Sequence, residues 1–316
     1  MTFVGRWSPF HKGHIALINT KREANPNSPV LIMVRNTSNE AYSASVRAEY
    51  IKAWMEKEHI AGTIMIVPNV EGVYWGRKVG YNVGEINVDQ KTARVSGTKI
   101  RNDIALGKIR WKHVVANTNA AHILSPAISN IIDNGFVVWL TGCPSSGKTT
   151  MCEALTKELK SKYPYLKIQV LDGDHVRTSP LAQKVGFTKM DRAEHIRRMA
   201  YLAKLFADHG ILVICAFVSP ERKIRREAKR IIGKERFMEV YMKASQKIRI
   251  QRDVKGMYKK AAKGELVNFT GYNGPYEQPE HPDVICNTDK ESIYESLQKI
   301  LKKLFDSKKM LTRKNL

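Results

Sequence analysis

The sequence has few cysteines and no long apolar run. Its four cysteines, Cys143, Cys152, Cys215 and Cys286, show no CxxC pairing, so we expect neither a zinc site nor a disulfide framework. No stretch approaches the length of a membrane span, and the first residues, which include Arg6, lack the apolar segment of a secretory signal. We therefore expect a cytoplasmic protein without a membrane partner.

Acidic residues are also scarce, with 30 Asp and Glu against 53 Lys and Arg and a formal net charge of +23. Such a balance is typical of nucleic-acid-binding proteins. The sequence carries no helix-turn-helix, zinc-finger or aromatic RNA-binding signature, so we favour basic clefts that gather polyanionic nucleotides over a nucleic-acid partner. The apolar fraction of 43% suffices for packed cores, and 316 residues leave room for two domains.

A glycine-rich loop, GCPSSGKTT at 142–150, fits the pattern GxxxxGK[ST]. The apolar segment 136–140 suits a buried parallel strand, and residues 151–159 have the apolar spacing of a helix. This order aims backbone N–H groups and the positive helix end at nucleotide phosphates. We expect Lys148 to reach the β- and γ-phosphates of ATP and the Thr149 hydroxyl to hold Mg²⁺. The predicted ATP-binding residues of the loop are Gly142, Ser145, Ser146, Gly147, Lys148, Thr149 and Thr150.

The chain is predicted to be α/β, with two domains at 1–132 and 133–316. Residues 128–132 are expected to finish the last helix of the first domain, and Asp133-Asn134-Gly135 makes a natural hinge before the next strand. Beyond it, apolar strands alternate with amphipathic helices, which predicts a doubly wound, mostly parallel sheet. A last helix followed by a basic tail is expected within 297–316.

Polar residues follow two predicted strands of the second domain. The segment 168–171 ends in Asp172-Gly173-Asp174, and the segment 211–217 is followed by Val218-Ser219. Ligands of open α/β sheets gather at the carboxyl ends of strands, so Asp174 and Ser219 are expected to face the nucleotide. A carboxylate there holds Mg²⁺ through water or accepts a proton from an attacking hydroxyl. Capping the next helix is the alternative role for either aspartate.

Residues 137–288 resemble the adenylyl-sulfate (APS) kinase family along nearly the whole second domain. LDGDHVR at 171–177 is similar to the family's LDGDNVR, DRAEHIRR at 191–198 to DRxENIRR, and PYEQPE at 275–280 to PYEAPE. The resemblance implies transfer of the ATP γ-phosphate, with Mg²⁺, to the ribose 3′-hydroxyl of APS, giving PAPS. It also gives an expectation of a homodimer.

The resemblance further assigns roles to single residues. It implies that Asp174 meets the 3′-hydroxyl and that Arg252 lies against the adenine of ATP. Arginines would bind the anionic linkage of the acceptor, phenylalanines would sandwich its base, and a lysine would belong to a mobile closing segment. The acceptor-binding residues so implied are Arg177, Phe187, Arg192, His195, Ser219, Lys259 and Phe269.

The sequence departs from the family beside the acceptor. Histidine stands at 175 and 195 where the family usually has asparagine, and Thr178-Ser179-Pro180 replaces a GLN-like segment with one extra residue. Replacing an amide with an imidazole changes size and donor geometry. The acceptor is therefore expected to be APS or a related nucleotide conjugate, such as one made by the first domain.

The first domain opens with a predicted strand at 2–6 and a predicted helix at 15–21, joined by WSPFHKGH at 7–14. His11 and His14 at this junction can donate hydrogen bonds to phosphate oxygens, beside the positive end of the helix. A metal site and a solvent-exposed pair are the alternatives, and no third ligand lies nearby in sequence.

GRWSPFHKGH at 5–14 resembles the HxGH signature of the nucleotidyltransferase superfamily, which includes nicotinamide-mononucleotide adenylyltransferases, pantetheine-phosphate adenylyltransferases and cytidylyltransferases. VSGTKIR at 95–101, opening a helix predicted at 99–106, is similar to its ISxTxIR motif. The resemblance implies a Rossmann-like domain that transfers a nucleotidyl group from a second nucleoside triphosphate to a small anionic acceptor, releasing pyrophosphate. His11 and His14 would steady the α-phosphate. The other implied nucleotide-binding residues are Gly5, Arg6, Ser96, Thr98 and Arg101.

Three functions follow in order of preference. The first is a bifunctional enzyme with an APS kinase and a nucleotidyltransferase. The second keeps the kinase but lets it act on another nucleotide conjugate. The third is a nucleotide-sensing or nucleic-acid-binding protein. A steep salt dependence of DNA or RNA binding, without turnover, would support it.

Overall fold

The structure is a computed structural model of the chain. It describes residues 1–37, 40, 42–69, 92, 95, 97–105, 114–115, 126–163, 166–183, 185–186 and 188–305. The chain divides into two compact units, Met1–Ser129 and Asn130–Leu316. Among the helices described, none has the length and apolar character needed to cross a membrane. The predicted sites at Ser96 and Phe187 and the basic tail at 306–316 lie outside the described residues.

The first unit contains a parallel sheet in the order β1-β2-β3, in which Phe3 pairs with Ile32 and Ile32 with Ile64. β2 alternates buried and half-buried side chains, so one of its faces packs on the core. Trp54 and Tyr50 of the second helix lie fully buried there. The described elements are β1 (Thr2–Gly5), α1 (Lys12–Ala24), β2 (Val30–Asn36), α2 (Ala44–Lys57), β3 (Gly62–Pro68) and α3 (Gly97–Ala105).

The second unit is built on a five-stranded parallel sheet of order β5-β6-β4-β7-β8, which confirms the predicted α/β class and parallel sheet. β4 is buried at every position, as a central strand covered on both faces must be. α4 (Pro126–Asn134) begins in the first unit and ends in the second. The elements that follow it are β4 (Phe136–Thr141), α5 (Lys148–Lys162), β5 (Ile168–Asp172), α6 (Gly173–Arg177), α7 (Lys189–Asp208), β6 (Leu212–Ala216), α8 (Arg222–Ile232), β7 (Phe237–Lys243), α9 (Gln246–Arg252), α10 (Met257–Ala262), β8 (Val284–Asn287) and α11 (Ile293–Leu304).

The main core of the second unit lies between the sheet and helices α7 and α8. Trp139 and Phe237 of the sheet pack there against Met199 and Ala203 of α7 and Ala228 of α8. Helix α5 contacts α11 and the strand β6, and α11 contacts the strand β8. Chain order crosses from one side of β4 to the other between β6 and β7, so the carboxyl end of β4 lies at a topological switch point.

Several predicted boundaries need correction. α1 begins at Lys12 rather than at residue 15, because His11 caps its first turn. The helix predicted to finish at residue 132 continues through Asn134, and Gly135 follows it with a φ of 63° directly before β4, so the hinge at 133–135 stays a prediction. A Cβ on Gly135 would collide with the backbone carbonyl of Ala207, so only glycine fits there. α3 begins at Gly97, two residues earlier than predicted, and β8 was not predicted.

Candidate functional site

The phosphate-binding loop leaves the carboxyl end of β4 and enters α5. Gly142 and Gly147 have φ angles of 156° and 89°, and Ser145 has a φ of 59°. A side chain on Gly142 would come within 2.5 Å of the Met242 carbonyl oxygen and 2.7 Å of Ser146 Oγ, so the loop requires glycine there. Gly147 is the N-cap of α5 and has no capping side chain, so the first N–H groups of this helix stay available to an anion.

Lys148 points its ammonium group into the loop. Its Nζ donates to the carbonyl oxygens of Gly142 at 2.9 Å and Cys143 at 2.8 Å. Desolvation lowers the pKa of Lys148 to about 8, against the opposing fields of Cys143, Asp174 and Asp172. The group is therefore still cationic at neutral pH and ready to pair with a phosphate.

The two aspartates after β5 have different roles. Asp172 caps α6 by accepting the N–H of Asp174 at 2.9 Å, and its other oxygen accepts the hydroxyl of Thr149 at 2.9 Å. The Asp174 side chain is 70% exposed and forms an ion pair with Lys255. The alternative of a capping aspartate thus holds for Asp172, while the carboxylate of Asp174 faces solvent, where a substrate can reach it.

The pair formed by Thr149 and Asp172 fits a magnesium ion. A hydroxyl and a carboxylate are hard oxygen ligands of the kind that Mg²⁺ prefers. They lie at the start of α5 beside the phosphate-binding loop. Thr149 and Asp172 are therefore the residues that would hold the ion of a bound MgATP.

Two predicted acceptor-binding arginines hold neighbouring segments together. Arg177 donates to the carbonyl oxygens of Val185 at 3.2 Å and Gly186 at 3.0 Å. Arg192 donates to Thr270 Oγ1 at 2.6 Å and to the Asn268 carbonyl oxygen at 2.9 Å. α6 is thereby joined to the segment before α7, and α7 to the turn at 268–274 beside the predicted base-binding residue Phe269.

His195 lies in the interior with only 4% of its surface exposed. Neither ring nitrogen has a hydrogen-bond partner within the described part of the chain. The edge of the ring faces Phe217, with 6.2 Å between centroids. Burial, aided by the charges of Arg177 and Arg198, lowers the pKa of His195 to about 4, so the imidazole is neutral at pH 7. Its predicted contact with the acceptor stays a prediction.

Ser219 has a buried hydroxyl that already has partners. It accepts the indole N–H of Trp139 at 3.1 Å and donates to Thr141 Oγ1 at 2.9 Å. The residue has a φ of 35° and is 1% exposed. The hydroxyl joins β4 to the end of β6, and an acceptor contact by Ser219 stays a prediction.

The segment after α9 borders the loop on its other side. Arg252 donates to Oγ1 of Thr288 at 3.0 Å and to its carbonyl oxygen at 2.6 Å, and Thr288 Oγ1 is 3.2 Å from the Ser146 carbonyl oxygen. Asp253 caps α10 by accepting the N–H groups of Tyr258 and Lys259, each at 3.0 Å. Lys259 is exposed on α10, where its predicted closing role stays a prediction.

Sequence reasoning gave no role to Lys255, Tyr258 or Thr288. All three lie in or near segments that resemble the APS kinase family, but nothing in their own spacing links them to the loop. The fold brings each of them to its partner: Lys255 forms an ion pair with Asp174, and Tyr258 is hydrogen-bonded to Pro144. Thr288 is hydrogen-bonded to Arg252.

A cavity of about 440 Å³ in the first unit gathers the predicted nucleotide-binding residues that the structure describes. It is also lined by Glu40, which sequence reasoning missed and which pairs with Arg6 at 3.4 Å. Arg101 donates to Thr98 Oγ1 at 2.9 Å and to the Ser8 carbonyl oxygen. The predicted residues lining the cavity are Gly5, Arg6, His11, His14, Thr98 and Arg101.

The two histidines of the cavity cap α1 reciprocally. His11 Nδ1 accepts the Gly13 N–H and His14 Nδ1 accepts the His11 N–H, both at 3.2 Å, and the rings stack at 3.8 Å. Burial lowers the pKa of His11 to about 4 and that of His14 to about 3. Because each Nδ1 is an acceptor, each neutral ring carries its proton on Nε2. The pair can thus donate two hydrogen bonds without carrying charge.

Comparison with known proteins finds relatives of the second unit. The family model for adenylylsulphate kinase matches residues 134–287. A probable adenylyl-sulfate kinase of Aeropyrum pernix is 48% identical over 164 residues, which are 51% of this chain and 88% of that protein. The adenylyl-sulfate kinase of Halothermothrix orenii is 46% identical over 170 residues, 54% of this chain and 89% of that protein.

A solved structure gives the same likeness. An APS kinase of Mycobacterium tuberculosis, in complex with AMPPNP and APS, is 35% identical and superposes with a TM-score of 0.51. The match covers 54% of this chain and 98% of that one.

Proposed function

The chain belongs to the adenylyl-sulfate kinase family, with residues 134–287 forming an APS kinase domain, and we propose that this domain phosphorylates the ribose 3′-hydroxyl of APS. The observation that carries the proposal is the exposed Asp174 carboxylate after β5, at the same edge of the parallel sheet as the Lys148 ammonium group in the loop after β4. A proton acceptor and a phosphate-binding cation thus share the end of one sheet.

The residues fit an in-line phosphoryl transfer. The 3′-oxygen forms a bond to the γ-phosphorus as the bond from that phosphorus to the β,γ-bridging oxygen breaks, and ADP leaves. Asp174 takes the hydroxyl proton, and Lys148 stabilises the charge on the phosphates. Thr149 and Asp172 would hold the Mg²⁺ of MgATP, which would supply positive charge beside the same phosphates. Arg177 and Arg192 hold the segments that surround the acceptor.

The main alternative concerns the acceptor. His195 offers a neutral imidazole, without a hydrogen-bond partner among the described residues, where an amide is usual in the family, and this favours an acceptor with different chemistry beside the anionic linkage. A related nucleotide conjugate, including one made by the first unit, is the second candidate. ADP release from MgATP with a panel of acceptors headed by APS separates the two, with Lys148→Ala as the inactive control. Turnover with other conjugates but not with APS would contradict the first assignment.

We also propose that the first unit is a nucleotidyltransferase that attaches a nucleotidyl group to a small anionic acceptor. The support is the cavity that gathers His11, His14, Thr98 and Arg101, together with two Nε2–H donors that can stabilise charge on an α-phosphate. The test is pyrophosphate release from ATP and CTP with a panel of sulfate and phosphorylated acceptors. His14→Ala should abolish pyrophosphate release and leave ADP release by the kinase unchanged. Loss of neither activity would contradict the assignment.

A further inference from the structure

Tyr258 lies in α10 with its hydroxyl group on the phosphate-binding loop. The hydroxyl donates to the Pro144 carbonyl oxygen at 3.0 Å and accepts from the Arg249 guanidinium at 3.2 Å. The side chain is 1% exposed, and burial raises its pKa to about 12. The hydroxyl therefore forms a buried, specific link between α10 and the loop that binds nucleotide phosphates.

The ring of Tyr258 contacts the acceptor side of the domain. Its centroid is 4.9 Å from that of Phe269, with the rings at 78°, and 6.1 Å from that of Tyr272. Phe269 begins a tight turn in which its N–H donates to Asn273 Oδ1 at 2.7 Å. One side chain thus contacts the phosphate loop with its hydroxyl and the predicted base-binding residue with its ring.

The surrounding packing leaves little freedom for these parts to move separately. Gly271, in the same turn as Phe269, has a φ of 81°. A Cβ there would come within 2.6 Å of Cys143 Sγ and would collide with the Arg249 guanidinium. Arg249 therefore touches the turn, and its side chain is hydrogen-bonded to Cys143 of the loop and to the hydroxyl of Tyr258.

The lysine that would bind phosphate is hydrogen-bonded to this end of the loop. Lys148 donates to the carbonyl oxygens of Gly142 and Cys143, and Pro144 follows them directly. The ammonium group has three N–H donors, and these carbonyls take two, so a phosphate oxygen binds beside them on the third donor or in competition with them. The next carbonyl, that of Pro144, is the one that Tyr258 holds.

We propose that Tyr258 is a positioning residue that couples nucleotide binding at the loop to the placement of Phe269, and so to acceptor affinity. The link to the acceptor rests on the proposed function, in which Phe269 contacts the acceptor's base. Coupling of this kind is reciprocal, and coupling between protein sites typically amounts to about 5- to 150-fold in affinity.

The first test needs no acceptor. 4-Fluorophenylalanine is introduced at position 269 of the full chain, and its ¹⁹F resonance is followed during titration with MgAMPPNP. The resonance should shift as the nucleotide binds. Tyr258→Phe, which keeps the ring and removes the hydroxyl, should bind MgAMPPNP by calorimetry but lose most of the shift. An equal shift in Tyr258→Phe, or none in the parent chain, overturns the proposal.

The matched control is Tyr272→Phe. It removes a hydroxyl from the same aromatic group, but within the described part of the chain that hydroxyl has no hydrogen-bond partner. Tyr272 is 37% exposed, so the change should leave folding intact. The fluorine shift in Tyr272→Phe should match that of the parent chain, and its loss there overturns the assignment to the Tyr258 hydroxyl.

The second test measures the affinity for APS with and without MgAMPPNP. Adding MgAMPPNP should change the affinity for APS by about fivefold or more in the parent chain and in Tyr272→Phe. In Tyr258→Phe it should change that affinity by less than about twofold. A Tyr258→Phe variant with weaker affinities but an unchanged ratio overturns the coupling role and leaves a merely structural one. A parent chain that binds no APS contradicts the proposed acceptor, whereas the fluorine measurement still decides the link from loop to Phe269.

Discussion

The ammonium group of Lys255 forms an ion pair with the carboxylate of Asp174. The lysine follows α9, and the aspartate begins α6 at the carboxyl end of β5. The two side chains are 57% and 70% exposed, so water screens the pair and its value for stability is small. The ion pair matters for the site rather than for stability, because it places a cation beside the carboxylate that the proposed reaction uses as proton acceptor.

Replacing Lys255 by methionine should lower kcat for ADP release by about 10- to 100-fold, because Asp174 loses the cation that orients it. The KM for ATP should change little, since the ion-pair partner of Lys255 is Asp174. Steady-state kinetics with saturating APS measure both constants. Lys260→Met, an exposed lysine on α10, is the matched control, and equal activity of the two variants would contradict the role of Lys255.

Asp174→Asn should lower kcat by a factor of about 10² to 10⁴, the usual contribution of a positioned proton acceptor. Its affinity for MgAMPPNP and its melting temperature should stay near those of the parent chain, because Asp174 does not cap α6. Asp172→Ala should behave differently and lower the melting temperature, since Asp172 holds both α6 and Thr149. An Asp174→Asn variant within tenfold of full activity would refute the assignment of Asp174.

His11→Asn should separate the two roles of this histidine. Asparagine is a preferred N-cap, so α1 should stay stable, whereas His11→Ala should cost about 1 kcal/mol. Both changes remove the Nε2–H donor and should weaken ATP or CTP binding to the first unit by at least about tenfold. Calorimetry in the Lys148→Ala background measures this binding without an acceptor. Full binding by His11→Asn would argue against a phosphate contact by His11.

The buried His195 predicts a loss of stability in acid. Its pKa is about 4 in the folded chain, against the ordinary value of 6.5 that it regains on unfolding, so below pH 6.5 the unfolded chain binds the extra proton. The stabilisation is complete above pH 6.5 and is lost as the pH falls toward 4; the loss between pH 7 and pH 5 is on the order of 1–2 kcal/mol.

Urea unfolding of the full chain at pH 7 and pH 5 tests this expectation. His195→Asn should show the smaller loss of stability between the two pH values. His11 and His14 titrate in both variants, so their contribution cancels in the comparison. Identical losses in the two chains would show that His195 does not carry the effect.

Periodicity and motif spacing predicted the parts of the fold that depend on local sequence. The strand, loop and helix around Lys148 follow from an apolar run, a glycine pattern and helix formers, and the structure has all three in this order, with the helix beginning at Lys148 rather than at residue 151. The start of α1 was predicted too late, because residues 12–14 have no apolar periodicity and His11 acts as a cap. β8 has only four residues, too few for a period to show.

Contacts between distant segments could not be predicted. Nothing near Lys255 in sequence points to Asp174, and nothing near Tyr258 points to Pro144, because both contacts arise from the way α9 and α10 pack beside the loop. Ser219 was expected to face the nucleotide because it follows a strand end, but its hydroxyl is already hydrogen-bonded to Trp139 and Thr141. The cytoplasmic setting and the homodimer stay predictions.

Phosphorylation of APS at its 3′-oxygen tests the central claim most directly. The full chain is incubated with MgATP and APS, and ³¹P NMR of the product shows whether the new phosphate couples to the ribose H3′. The account predicts a 3′-phosphorylated product with one ADP released per phosphate transferred, and no product from the Lys148→Ala chain. A parent chain that binds MgATP and APS but forms no 3′-phosphorylated product would contradict it.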